Sequence, residues 1–343
     1  MDGDQNHHKP KGRVTLLDVA KASGFSKSTV SRILDERLPT ADNPSARHVR
    51  EVAEKLGYVR DLSAANLRRG STGQIGVIVP RLTDTVMAML YESLAKAAGR
   101  NGQFAIVATT DDHPDAGRAA AEALIRRGVD GLILSTARID DHFTDELRAR
   151  HIPFVLALRQ NGQSLAAIGD DPLGGYLATR HLLDLGHRRI GLITGPDYAT
   201  SARGRLEGYC KALEEASVSL SSDLIVPSTF SIESGELAAE TLLKLKDRPT
   251  AIFAVNDNTA IGALSAIASF GFSVPHDISL VGYNDIPIVS RLPVPLTTVK
   301  VPFDHIAEMA LQLLNNASEG SSEVRIATPS LIPRKSTAAP RSH

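Results

Sequence analysis

Two kinds of apolar pattern run along the 343-residue chain, and they change over near residue 70. Before that point apolar residues recur at helical spacing. Leu16, Val19 and Ala20 follow Thr15, which with Asp18 three residues on fits a capping box. Gly24 breaks that helix, Ser26 caps a second one carrying Val30, Ile33 and Leu34, and Pro44 and Ser45 open a third. The third carries Val49, Val52, Ala53 and Leu56 at i, i+3, i+4 and i+7 and ends at Gly57. Two helices joined by a glycine-centred turn make a helix-turn-helix unit. Ala20 is small where such helices cross, Gly24 sits in the turn, and Val30 and Ile33 face a mini-core. The polar Lys27, Ser28, Thr29, Ser31 and Arg32 remain on the start and outer face of the second helix, the element that enters the DNA major groove in such units.

From residue 74 onward, short β-branched runs alternate with helical stretches. The runs are IGVIVP (75–80), FAIVATT (104–110), GLILST (131–136), FVLAL (154–158), RIGLITG (189–195), AIFAVN (251–256) and ISLVGY (278–283). Helical stretches are read at 88–99, 116–127, 173–185, 202–216, 234–245 and 260–270. Nearly continuous apolar strands alternating with helices predict parallel sheets covered on both faces. Two such sheets make two lobes, with a ligand crevice at the C-terminal strand ends.

Composition narrows the class. Hydrophobic residues at 42% and charged residues at 22% are those of an ordinary globular protein. No apolar run approaches the length of a membrane helix, and the polar start MDGDQNHHKPKGR lacks the apolar stretch of a secretory signal. A single cysteine, Cys210, excludes a disulfide framework and any multi-cysteine metal site. The net charge of −1 hides an asymmetry: residues 1–70 hold 13 Lys/Arg against 9 Asp/Glu, while the remainder is net acidic. A basic head on an acidic body suits a polyanionic partner.

The segments LLDVAKASGFSKSTVSRIL, VREVAEKLGY and DLSAANLRRG resemble the head and hinge of the lactose-repressor (LacI/GalR) family of transcriptional regulators. The resemblance continues in order through RRGVDGLIL, HLLDLGHRRIGLITGP, SARGRLEGY, AIFAVNDNTAIGAL, DISLVGYND, PLTTVKVP and LIPRKST, covering residues 14–337. It implies an α/β fold: an N-terminal helix-turn-helix head and a periplasmic-binding-protein-like body of two Rossmann-like lobes. The expected division is a polar arm (1–13), a DNA-binding domain (14–60), a hinge helix and linker (61–73), the body (74–337) and a tail (338–343). The N-lobe would comprise about 74–170 and 301–327, and the C-lobe about 171–299 and 328–337, with crossings near 170, 300 and 327.

The resemblance places base reading on Lys27 and Ser28, with Arg32 a turn further on. Arg and Lys donate to guanine, and Ser donates or accepts. Thr29 and Ser31 suit phosphates, and Thr15 and Ser26 join the expected DNA-contacting set. In the hinge, Asn66, Leu67 and Arg68 are implied, Leu67 as the wedge that opens a minor-groove base step and Arg68, with Arg69, on phosphates. Two departures from the family stand out. The loop DERLPTADNP is long, and Arg60 replaces a common proline.

For the crevice, the resemblance implies Asp84, Arg159, Arg203, Phe230, Asn256 and Asn284. Asp84, Thr85 and Val86 stand where the family usually has Asn-Pro-Phe, so one aromatic surface is missing, and Phe230 is the candidate to supply another. Leu158 and Asn284 replace two carboxylates typical of sugar-binding members. With Arg203 retained, this predicts an anionic effector, such as a sugar acid or sugar phosphate, over a neutral hexose. The overall expectation is a cytoplasmic homodimer that binds a pseudo-palindromic operator, most simply as a repressor, and needs no cofactor or metal. After Thr337 only AAPRSH remains, too short for a tetramerising heptad zipper.

An enzyme or a sugar-binding module carrying an appended head is the alternative. No dinucleotide glycine fingerprint, phosphate loop or nucleophile elbow supports it. His181 and His187 have no carboxylates at metal spacing and read as capping or surface residues.

Overall fold

A computed structural model describes residues 14–35, 42–59, 71–317 and 322–341. The chain divides into two compact units, one up to Thr72 and one from Gly73 onward. The hinge residues Asn66, Leu67 and Arg68, Arg60, and most of the long loop after Leu34 lie outside the described residues.

The first unit holds α1 (Leu16–Ser23), α2 (Lys27–Ile33) and α3 (Pro44–Lys55). The capping box at Thr15 is formed: the Asp18 carboxylate accepts the Thr15 amide at 2.9 Å and its hydroxyl at 2.7 Å. Gly24 ends α1 at φ 73°, a left-handed conformation that glycine adopts without a Cβ clash. Ser26 caps α2 by accepting the Thr29 amide at 3.2 Å, and Asn43 caps α3 by accepting the Ala46 amide at 2.8 Å. Val19, Ala20, Val30, Val49 and Ala53 form the small core that fixes the three helices together.

In the second unit the strands are β1 (Gln74–Val79), β2 (Phe104–Thr109), β3 (Gly131–Leu134), β4 (Phe154–Ala157), β5 (Ala166–Gly169), β6 (Ile190–Thr194), β7 (Ile225–Pro227), β8 (Ala251–Ala254), β9 (Ser279–Asn284), β10 (Thr297–Lys300), β11 (Val324–Ala327) and β12 (Ser330–Ile332). The helices are α4 (Thr85–Arg100), α5 (Pro114–Arg126), α6 (Phe143–Ala149), α7 (Asp171–Asp184), α8 (Thr200–Glu215), α9 (Ile232–Leu243), α10 (Asp257–Ser269) and α11 (Phe303–Asn315). One sheet runs β11-β5-β4-β3-β1-β2, all parallel; the other runs β12-β10-β9-β8-β6-β7, with only β12 antiparallel.

Alternation along β1 shows why these strands are apolar throughout. Val77 and Val79 point to the core shared with Leu90 and Leu94 of α4, while Ile78 points to the opposite core with Leu124 of α5 and Leu147 of α6. Both faces are buried, so no polar residue has a solvent face to occupy. In the second lobe the helix pairs approach backbone to backbone. A Cβ at Gly208 on α8 would strike the Pro172 carbonyl on α7, and one at Gly262 on α10 would strike the Ile232 carbonyl on α9.

The chain passes between the lobes three times: after β5, between β10 and α11, and between β11 and β12. The crossing strands touch, with the Asp170 amide donating to the Ala327 carbonyl at 3.0 Å and Val301 packed beside Gly169. These three adjacent segments are the natural pivot between the lobes.

Candidate functional site

Loops at the C-terminal ends of strands from both sheets enclose a cleft of about 300 Å³. One wall comes from the first lobe: Asp84 capping α4, Val86, Met87, Ser135 after β3, and Leu158 and Arg159 after β4. The opposite wall comes from the second lobe: Ser201 and Arg205 of α8, Phe230 and Ile232, Asn256 and Asn258 at the start of α10, and Asn284 ending β9. Leu158, Phe230 and Asn284 all take positive φ, at 64°, 69° and 106°, so the backbone is bent out of its strand path where it meets the cleft.

Of the six cleft residues expected from sequence, Asp84, Arg159, Phe230, Asn256 and Asn284 are brought together here. Arg203 is not. It sits on the exposed side of α8, outside the cleft lining, and the guanidinium that reaches the cleft is that of Arg205, two positions on. The physical reason is helical phase. Ala202, Arg205 and Tyr209 share the buried face of α8, and a single step from Ala202 to Arg203 rotates the side chain about 100° outward.

Arg205 is almost wholly buried. Its Nε donates to Asp171 Oδ1 at 2.9 Å, one Nη donates to the Val255 carbonyl at 2.7 Å, and the guanidinium stacks on the Tyr283 ring at 3.7 Å. Arg159 is buried too, and both its terminal nitrogens reach Asp112 at 3.3 Å. Both of these guanidiniums thus already have a carboxylate partner, while a third, Arg81, lies half-buried in the cleft wall 3.8 Å from Asp111. At Arg205 and Arg159 the uncompensated positive charge behind the anionic-effector expectation is absent, because Asp171 and Asp112 supply from elsewhere in the chain the carboxylates that Leu158 and Asn284 omit.

The asparagines play different parts. Asn256 is committed to structure, capping α10 through the Thr259 amide at 2.8 Å and donating to the Phe230 carbonyl at 3.0 Å. Asn258 reaches across the cleft to Asp84 Oδ1 at 3.1 Å, and burial pushes the Asp84 carboxyl above its usual range. Asn284, only 4% exposed, lines the cleft with a side-chain amide that bonds to no other group among the described residues.

Behind the cleft, burial pushes the Asp257 carboxyl up to about 7, against the opposing effect of hydrogen bonds from Thr298 and the Ile286 amide. A carboxyl raised on folding favours the folded state most fully below its unfolded value, and that contribution fades as pH rises through the folded one. The denaturation midpoint is therefore expected to fall between pH 5 and pH 8, and Asp257→Asn to flatten that slope; urea titrations at four pH values measure both. Among the sequence-flagged histidines, His187 is buried and bonds Thr250, Ser279 and the Ala338 carbonyl, fastening the C-terminal segment.

In the first unit, Lys27, Ser28 and Arg32 are exposed on α2, and neither Lys27 nor Arg32 makes an ion pair among the described residues. Thr29 and Ser31 are half-buried. The Thr15 and Ser26 hydroxyls are engaged in their helix caps, with Ser26 also bonded to Ser28 at 2.8 Å and Thr29 at 2.9 Å.

A three-helix head and a two-lobed body with a cleft between parallel sheets define the class of ligand-responsive DNA-binding regulators. Residues 15–61 match the model of the bacterial regulatory proteins of the lacI family, and residues 179–337 match the periplasmic binding protein-like domain. The HTH-type transcriptional repressor PurR of Proteus mirabilis is 33% identical over 332 residues, 94% of this chain and 97% of that protein. The crystal structure of the Lac repressor dimer bound to operator and the anti-inducer ONPF superposes with a TM-score of 0.84 at 28% identity, covering 95% of this chain and all of that one. A LacI family regulator from Enterococcus faecium with bound ribose matches with a TM-score of 0.68 at 29% identity, over 78% of this chain and all of that one. The chain belongs to the lacI family of bacterial regulatory proteins. No helix among the described residues is long and apolar enough to cross a membrane.

Proposed function

We propose that this chain is a cytoplasmic, homodimeric transcriptional repressor whose operator affinity is set by a neutral polyhydroxylated effector in the cleft. Residues 14–60 bind DNA, 61–73 form the hinge, and 74–337 bind effector and dimerise, with the lobes divided at the three crossings; 1–13 and 338–343 are arm and tail. Lys27, Ser28 and Arg32 read bases from the exposed face of α2. Thr29 and Ser31 hold phosphates, and Thr15 and Ser26 act by fixing the helix starts at the DNA surface. Asn66, Leu67 and Arg68 supply the minor-groove wedge and its phosphate contacts. The body carries out no catalysis and uses no cofactor.

The observation that carries the effector class is Asn284. A nearly buried amide offers one acceptor and two donors, and with no protein partner it is satisfied only by what enters the cleft. The ring of Phe230 and the side chains of Val86, Met87, Leu158 and Ile232 give the apolar faces on which a pyranose or furanose ring stacks. Arg205 keeps its geometry through Asp171 and still presents a terminal nitrogen for a hydroxyl. With Arg159 and Arg205 paired, and the half-buried Arg81 sharing the lining with Asp84 and Glu233, a hydroxyl suits the cleft better than a carboxylate or phosphate. The ribose bound to the Enterococcus faecium relative belongs to the same chemical class.

The test is a thermal-shift panel of neutral sugars, sugar acids and sugar phosphates on the full chain and on Asn284→Ala. A hundredfold excess over Kd stabilises by about 2.7 kcal/mol, so a true ligand stands clear of the rest. A neutral sugar is expected to raise the wild-type midpoint and to lose at least half of that shift in the variant. Stabilisation by anionic ligands alone would overturn the neutral class.

A further inference from the structure

Away from the pivot, one aromatic residue of the second lobe packs on Ala199, Ala202 and Val255 of its own lobe yet directs its polar contacts to the first. Tyr198 lies in the loop between β6 and α8. Its hydroxyl donates to Asp112 Oδ2 at 2.7 Å, and the Arg138 guanidinium lies over its ring at 3.5 Å. Its carbonyl accepts the Ile139 amide at 3.2 Å. Two residues further along, Thr200 Oγ1 accepts the Gln160 amide at 3.0 Å. Asp112, Arg138, Ile139 and Gln160 all belong to the first lobe, so each of these contacts spans the lobe boundary.

We propose that Tyr198 is an interlobe latch, joined through Asp112 to the cleft-lining guanidinium of Arg159, that holds the two lobes together. Asp112 is the shared element. Its Oδ2 accepts the Tyr198 hydroxyl while the same carboxylate takes both terminal nitrogens of Arg159 at 3.3 Å. It is set in that position by two successive non-glycine residues in the left-handed region, Asp111 at φ 50° and Asp112 at φ 63°, a conformation that persists where surrounding contacts fix it. Arg138 is itself locked in place by two hydrogen bonds to Asp140, each 2.8 Å, so the cation over the tyrosine ring does not wander. The phenol remains a donor at every physiological pH, because burial and the neighbouring carboxylate push it up to about 12. A rearrangement of Arg159 toward a ligand draws on Asp112 and hence on the latch, and this link joins the cleft to lobe separation. The proposal goes beyond the effector reading and does not depend on which ligand is bound.

Amide hydrogen exchange on the ligand-free full chain tests it, with the interlobe amides of Ile139 and Gln160 as reporters and the central-strand amides of Ile133 and Ile193 as internal references. Tyr198→Phe keeps the ring and its stack but removes the hydroxyl. Loss of one hydrogen bond to a charged acceptor is expected to speed exchange at Ile139 and Gln160 about tenfold or more relative to the references. Tyr198→Ala is expected to speed it further. Asp112→Ala, which also leaves Arg159 without its carboxylate, is expected to speed exchange at least as much as Tyr198→Phe, with the double variant no faster than Asp112→Ala alone. Unchanged relative exchange in Tyr198→Phe, or fully additive effects in the double variant, would overturn the latch.

Discussion

Arg205→Ala is expected to lower the stability of the body by about 3–5 kcal/mol, the range found when one partner of a buried ion pair is removed. Asp171, its partner, is buried at the start of α7 beside the first lobe crossing. Desolvation already pushes that carboxyl up, and Arg205 is the main group that opposes the shift, with a smaller share from the Tyr283 hydroxyl. Without the guanidinium, Asp171 is left with the Tyr283 hydroxyl at 3.4 Å, and the Val255 carbonyl loses its donor. The deficit has a pH signature. The orphaned carboxyl is raised further in the folded state, so the variant is weakest where the carboxyl is charged and recovers as pH falls and it protonates. Arg205→Lys keeps the charge without the fork and is expected to lose less. Arg203→Ala, on the exposed side of the same helix, is expected to stay within about 0.5 kcal/mol of wild type. Urea denaturation of the three variants at pH 5 and pH 8 measures all of this. Equal losses for Arg203→Ala and Arg205→Ala would contradict the assignment.

Removing the head is expected to separate the two functions. Among the described residues, the apolar cores of the second unit contain none from the first, and the head has its own core around Val19, Val30 and Val49. A protein of residues 73–343 should therefore fold with nearly the wild-type midpoint and keep full ligand-induced stabilisation. It should lose at least about a thousandfold in operator affinity, since the residues proposed to read bases and hold phosphates all lie before residue 73. Fluorescence anisotropy with labelled operator and a parallel thermal shift read the two functions on the same preparation. Retained operator binding by the truncated protein would place DNA recognition on the body.

How far the sequence was legible differs between the units. The head could be read almost residue by residue because its signals are local. Thr15, Gly24, Ser26 and Gly57 mark helix ends by their own chemistry, although the Asn43 cap of α3 was not anticipated. In the body, the seven β-branched runs are the strands that lie deepest in the two sheets and at the β2 edge. The five strands not read, β5, β7, β10, β11 and β12, are only three or four residues long. Sequences such as AAIG and TTVK become strands because neighbours in the sheet supply their hydrogen bonds. The short α6 was missed, and so was α11, although Ile306, Ala307, Ala310, Leu311 and Leu314 carry a clear helical pattern on its buried face.

The cleft divides along the same line between local and distant causes. Residues ending strands, such as Asn256 and Asn284, were found because strand ends mark the crevice. Arg205 was missed for Arg203, yet the phase of Tyr209, Ala212 and Leu213 along α8 contained the information. Asp112, Asp171 and Tyr198 were invisible as partners. Asp112 lies 47 residues from Arg159 and 86 from Tyr198, and nothing in local sequence pairs them.

The central claim is that ligand in the cleft and operator on the head are energetically coupled. It is tested by selecting an operator from random DNA with the full chain, then measuring its Kd by anisotropy at one fixed salt concentration, with and without the sugar that gives the largest thermal shift. Coupling of about 1–3 kcal/mol, a change of roughly 5- to 150-fold in operator Kd, is the expected result, with Asn284→Ala keeping operator affinity and losing the change. Failure to select any operator, or a saturating cleft ligand that leaves the operator Kd unmoved, would contradict it.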